Sequence, residues 1–224
     1  ITNECPVAFV SHRSEESREA DSPSWMNVRE AHMVVHAALD LVNHHGVDPS
    51  NIVVLSPYRK QVRKIESILH AIARDNDVLQ THDGRGRMAC KIAVRTVEMF
   101  QGRESSVVLL SCVRNRATRG DLEKDKRFGI GFLNQPQRSN VAVSRAQDLM
   151  MIFGNADLLR HDAVWGEYLA RIRDKESVWT VDGQERVQPW APSSDVAGLF
   201  MDDNATTAER FNVVHEDKPF EREH

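Results

Sequence analysis

Cysteine is scarce in this 224-residue chain, and that scarcity excludes several architectures. The three cysteines, Cys5, Cys90 and Cys112, have no CxxC spacing and an odd number cannot all pair, which argues for reduced thiols over a disulfide or zinc framework. His44 and His45 are adjacent, but no cysteine or carboxylate is recognised at ligand spacing beside them, so they read as a solvated helix end. No run of 18 apolar residues exists, so no membrane span is expected. Excess charge of one sign is missing too. A formal net charge of -4 means that any contact with nucleic acid has to come from a local patch. The chain does not begin with Met or with an apolar signal region, and it reads as part of a longer intracellular protein, cytoplasmic or nuclear.

What is present suits a folded α/β domain. Hydrophobic residues make up 41% and charged residues 28% of the chain. Pro6 to Val10 reads as a first strand, followed by a polar loop from Ser11 to Ser24. Asn27 with Glu30 three positions later has the spacing of a capping box. The apolar stripe Ala31, Val34, Val35, Ala38, Leu39 and Val42 then predicts a helix ending at Gly46. Further strands are expected at 51–55, 91–95, 106–113 and 149–153, with a short last one at 178–181. Helices are expected over 62–72, 156–159 and 164–172, and loops over 75–88 and the charged stretch 114–127. Short apolar strands alternating with helices of about a dozen residues are the pattern of parallel βαβ units covered on both faces. Residues 191–224 lean acidic with no sustained period and read as a disordered linker or tail after a domain spanning 1–190.

Two runs carry the chemistry. TVEMFQGRE, residues 96–104, stands before the apolar run Val107 to Leu110, and NQPQRSNVAVSR, residues 134–145, stands before Leu149 to Phe153. Arg138 and Arg145 are seven residues apart, so on one helix they would differ by only about 20° and present two guanidiniums on one face, suited to a phosphate-bearing ligand.

Together with Ser56-Pro57-Tyr58-Arg59-Lys60-Gln61 after a strand, these runs occur in an order that resembles the second RecA-like domain of superfamily 1 helicases of the nonsense-mediated-decay type, a group that includes senataxin. The resemblance covers about residues 5–182. It implies an α/β, RecA-like fold that closes with a first RecA-like domain on ATP and Mg²⁺, while single-stranded RNA or DNA crosses both domains. It also implies that the chain is half a motor. The phosphate loop GxxxxGK[ST] and the paired magnesium carboxylates of the first domain are missing here, so ATP hydrolysis by this chain alone is not expected.

Residue roles implied by the resemblance follow the motifs. Arg145 takes the place of the γ-phosphate arginine, and Arg138 that of a second arginine which either touches phosphate or braces the motif internally. Glu104 matches the carboxylate on the nucleotide ribose. Gln101 and Gly102 match the turn beside the nucleotide, where glycine permits close backbone approach. Asn27 lies in a motif near the nucleotide; some members carry an arginine directly after it, whereas here Val28 intervenes and Arg29 follows. Trp25 takes the place of an aromatic that stacks on adenine. Ser56 and Thr96 match hydroxyl residues that hold nucleic-acid phosphates, though the same residue types also cap turns. Tyr58 and Gln61 either contact the nucleic acid or pack within the fold. Where the family usually has aspartate, this chain has Glu98. The competing reading is a helicase-like scaffold that has lost its motor and binds RNA or protein. An independent small-molecule enzyme is disfavoured because no nucleophile–base pair is recognised.

Overall fold

A computed structural model describes residues 7–18, 22–115, 135–173 and 178–180. Expectations for Cys5, for residues 116–134 and for the tail from 191 onward lie outside these residues. The elements, in chain order, are β1 (Val7–Ser11), α1 (Val28–Asn43), β2 (Ile52–Ser56), α2 (Arg59–Ala73), β3 (Gln80–His82), β4 (Met88–Cys90) and β5 (Ala93–Thr96). They continue with β6 (Ser105–Ser111), α3 (Pro136–Val143), β7 (Ala146–Gly154), α4 (Ala156–Leu159), α5 (Ala163–Arg173) and β8 (Val178–Thr180).

Six strands form one sheet in the order β5-β2-β6-β7-β1-β8, and every pairing among the described residues of that sheet is parallel. Strand alternation sends Val54, Leu109 and Met151 to one face, where α1 and α2 cover them with Val34, Ala38, Ile65 and Leu69. Val53, Leu55, Val108, Leu110 and Ile152 go to the other, under Ala142 of α3, Leu159 of α4 and Trp165 and Leu169 of α5. Burial on both faces explains why the strands read as continuous apolar runs. The result is a three-layer α/β/α domain of RecA-like arrangement.

Three sequence expectations change. The loop over 75–88 holds an antiparallel hairpin, β3 with β4, whose three-residue strands are too short and too exposed to leave an apolar alternation. The capping box is only half formed. Asn27 accepts a hydrogen bond from the Glu30 amide at 2.9 Å, but Glu30 points inward, and it is Gln61 that accepts from the Asn27 amide at 2.8 Å. A carboxylate does stand beside the adjacent histidines: buried Asp40 lies 3.0 Å from His44 and 3.6 Å from His45, tying the end of α1 together. Cys90 and Cys112 are free thiols, and burial first, then the charge of Glu30, pushes Cys112 well up, so it stays protonated. No helix among the described residues is long and apolar enough to cross a membrane.

His32 and His36 sit one turn apart on α1. Burial lowers the pKa of both, and for His32 the charges of His36 and Lys64 add to it. The folded chain therefore binds fewer protons on these rings than the unfolded chain. Their contribution to stability is full above the ordinary histidine value of 6.5 and is lost as the pH falls through that value toward the lowered folded pKa. A denaturant midpoint measured from about pH 7 to about pH 5 should fall, and the fall should be shallower in a His32→Gln/His36→Gln variant.

Candidate nucleotide and nucleic-acid surfaces

The strand ends sort the motif residues into two groups. Ser56 and Thr96 are register partners at the carboxyl ends of β2 and β5, and Asn27, Trp25 and Tyr58 belong to the same edge. Glu104 and Arg145 immediately precede β6 and β7 at the opposite, amino edge, where Ser105 pairs with Ala146. The seven residues of β6 put roughly 20 Å between these edges. The structure thus brings Gln101, Gly102, Glu104 and Arg145 together, and sets Asn27, Arg29 and Trp25 apart from them.

The amino-edge group is built on a tight turn. The Arg103 amide donates to the Phe100 carbonyl at 3.1 Å, Gln101 has φ -58° and ψ 133°, and Gly102 has φ +77°. These are the angles of a type II turn, which needs a positive φ at its third residue and so favours glycine there. A side chain at Gly102 would meet nothing within 4 Å, so the dihedral, and not the close approach expected from the motif, is what this chain itself requires. The turn leaves Gln101 to Glu104 exposed.

Arg145 is not on the helix with Arg138. α3 ends at Val143, and Arg145 occupies the step between α3 and β7 because the chain must extend to pair Ala146 with Ser105. Its Nε donates to the Val141 carbonyl at 3.0 Å, one Nη to the Ser144 hydroxyl at 2.7 Å and the other to the Arg103 carbonyl at 3.4 Å. The Arg145 carbonyl accepts from the Ser105 amide at 3.1 Å, which ties both motifs at one point. Those bonds use three of the five guanidinium N–H groups and leave two without a partner among the described residues. Glu104 accepts from Gln147 at 3.1 Å and is otherwise exposed. Arg138, on the first turns of α3, instead pairs with Glu98 at 2.6 Å. The pair joins the two motifs.

The carboxyl edge is more enclosed. Ser56 is 0% and Thr96 7% exposed; their hydroxyls accept from the Tyr58 amide at 3.3 Å and the Met99 amide at 3.4 Å, the turn-capping role open to these residue types. Tyr58 is 1% exposed and its ring belongs to the core. The guanidinium of Arg114 lies 3.8 Å from the Trp25 ring centre and that of Arg18 5.0 Å, so the indole is already a partner of cations. Arg29 is exposed on the first turn of α1.

Motif reading missed the polar network beneath this edge. Glu30, fully buried, accepts from the Ser111 hydroxyl at 2.5 Å and the Val113 amide at 2.8 Å, and lies 2.9 Å from the His12 ring. Asn27 adds its amide to the Val113 carbonyl at 3.4 Å. These bonds hold Val113 at φ +71°, with the Arg114 amide donating to the Cys112 carbonyl at 2.8 Å, a γ-turn of the strained hand. Nothing in the spacing of His12, Glu30 and Ser111 signals that three separate elements meet here.

Comparison with known proteins adds the lineage. Residues 1–157 match the family model described as an AAA domain. The chain is 38% identical over 176 residues to "Putative helicase MOV-10" of Gallus gallus, covering 76% of this chain and 17% of the relative. It is 36% identical over 166 residues to "RNA helicase Mov10l1" of Homo sapiens, covering 73% of this chain and 12% of the relative. Against "Regulator of nonsense transcripts 1 homolog" of Arabidopsis thaliana the identity is 32% over 171 residues, covering 76% and 12%. The match thus spans less than a fifth of the length of each of these curated relatives. Three motifs in order on a parallel RecA-like sheet, and relatives of this kind, place the chain in the superfamily 1 helicases of the nonsense-transcript-regulator type.

Proposed function

We propose that this chain is the second motor domain of an ATP-dependent helicase or translocase acting on single-stranded RNA or DNA, completed by a first RecA-like domain. The observation that carries the reading is the fixing of Arg145 by two backbone carbonyls and a hydroxyl beside the Gln101–Glu104 turn. A guanidinium held in this way is oriented before any ligand arrives, so it loses little freedom on meeting a phosphate.

The residues present fit part of a nucleotide. Glu104 offers an exposed acceptor for a ribose hydroxyl, and Arg145, next to it across the start of β6 and β7, offers a donor pair for the outermost phosphate. ATP, when bound, supplies the phosphoryl group that passes to water. Arg145 then acts on negative charge that grows at that group, and Gln101 and Gly102 shape the rim. Among the described residues no group of three His, Cys, Asp or Glu stands where it could hold a metal ion such as magnesium. In this reading its ligands, like the phosphate loop, belong to the first domain.

The 224-residue chain by itself should therefore show no ATPase activity above background, whereas the full-length protein should hydrolyse ATP faster when single-stranded RNA or DNA is added. Turnover by the chain alone that disappears in Arg145→Ala would show a complete active site here and end the half-motor reading.

A further inference from the structure

The carboxyl edge poses a chemical problem for strand binding. Its two motif hydroxyls face inward, on Ser56 and Thr96. The exposed groups at this edge include Glu98 and Met99 just past Thr96, and also cations on α2, which starts directly after Ser56-Pro57-Tyr58. Its first six residues, Arg59 to Lys64, include four cations in a chain whose net charge is -4. Arg59 and Lys60 occupy the first helical positions, where the helix dipole favours anions, yet the first turn holds no acidic residue and Tyr58 gives no side-chain cap. Helix stability gives no reason for this placement.

The geometry points to Arg59, Arg63 and Lys64 as a backbone track for single-stranded nucleic acid, running from the sheet edge along α2. The inference rests on the strand-binding part of the reading above and adds residues to it. At 3.6 residues per turn the three side chains fall within about 140° of one another, on the side away from Val62, Ile65 and Leu69, which pack on the core. Arg59 and Arg63 are exposed. Lys64 is half-buried at the α1 side, where its charge adds to burial and to His36 in lowering the His32 pKa. Lys60 is excluded from the track, because its amine is enclosed. Glu66 is the one acidic residue in the first two turns of α2, and Arg95 lies 3.8 Å from it. Point charges along a helix, with no pocket between them, suit phosphates spaced along a chain and carry no base preference.

The test uses the 224-residue chain, fluorescein-labelled 20-nucleotide oligo-uridylate and oligo-deoxythymidylate, and anisotropy titrations from about 50 to about 200 mM salt. Arg59→Gln/Arg63→Gln/Lys64→Gln retains helix propensity. The plot of log K against log salt should become flatter by about 0.7 for each phosphate that is no longer neutralised, or about two for all three. Equal flattening for both oligonucleotides identifies the phosphodiester as the ligand; flattening with one alone assigns the track to that backbone. The variant's thermal midpoint should stay level or rise, because cations leave a helix amino end, so weaker binding cannot be put down to misfolding. An unchanged slope in a chain that binds overturns the track and leaves the motor reading standing. Absence of binding to either oligonucleotide overturns the track together with the strand-binding part of that reading. Equal competition by poly-glutamate would show a site for any polyanion and overturn the nucleic-acid assignment.

Discussion

In the full-length protein, Arg145→Ala should lower single-turnover ATP hydrolysis by about 10³ to 10⁵, the range found when an arginine finger is removed. Nucleotide affinity should change far less. A finger acts on charge that appears at the transferring phosphoryl group, so its contribution is larger in the transition state than in the ground state. Arg145→Lys should recover little. A single ammonium cannot hold the Val141 and Arg103 carbonyls and still present a paired donor outward. Rate and affinity should be measured side by side on both variants. Near-normal hydrolysis in Arg145→Ala would remove this residue from the site, whereas no hydrolysis by the unsubstituted full-length protein would put the non-motor scaffold ahead.

Glu30→Ala should cost about 3–5 kcal/mol of folding stability, because each buried donor left without its acceptor costs about 1–3 kcal/mol. The substitution strands the His12 ring, the Ser111 hydroxyl and the Val113 amide together, all of them enclosed. It also frees Val113 from the bond that offsets its left-handed backbone, a conformation costing about 1–3 kcal/mol for such a residue. At about 2–4 °C per kcal/mol for a domain of this size, the thermal midpoint should fall on the order of 10 °C. Glu30→Gln keeps an acceptor for Val113 and should lose less. A drop in Glu30→Ala of under about 1 kcal/mol, the scale of an exposed pair, would show that the network is not what holds the β6 exit.

The sheet and its covering helices were legible because their signals are local and repeated. Apolar runs at Ile52 to Leu55 and Val107 to Leu110, and the stripe through Val34 and Ala38, are buried as their periods require. Boundaries moved where neighbouring strands set them: β5 starts at Ala93 because it pairs with Val53, and β6 reaches back to Ser105 because Ala146 lies opposite. The site was legible only in part. That the 96–104 and 134–145 runs meet could be anticipated from their order along the chain. That Arg138 would pair with Glu98 while Arg145 left the helix could not, since a seven-residue spacing says nothing of where the helix stops. Glu30 misled for a related reason: capping-box spacing fixes the residue type but not the rotamer, and Ser111 and Val113, about 80 positions away, offered it better donors.

The pairing of β1 has a consequence for synthesis. Val7 to Ser11 pair with Met150 to Gly154, some 140 positions later, and β1 also borders β8. At roughly 5–20 residues per second, a ribosome makes the partner strand only about 7–30 seconds after β1. Late in that interval, once β6 is made, β2 and β5 can associate with it, but Phe9 and Val10 still have no native neighbour strand. Among the described strands of this sheet, β1 is made first yet placed among the last, and an apolar edge waits uncovered until β7 emerges.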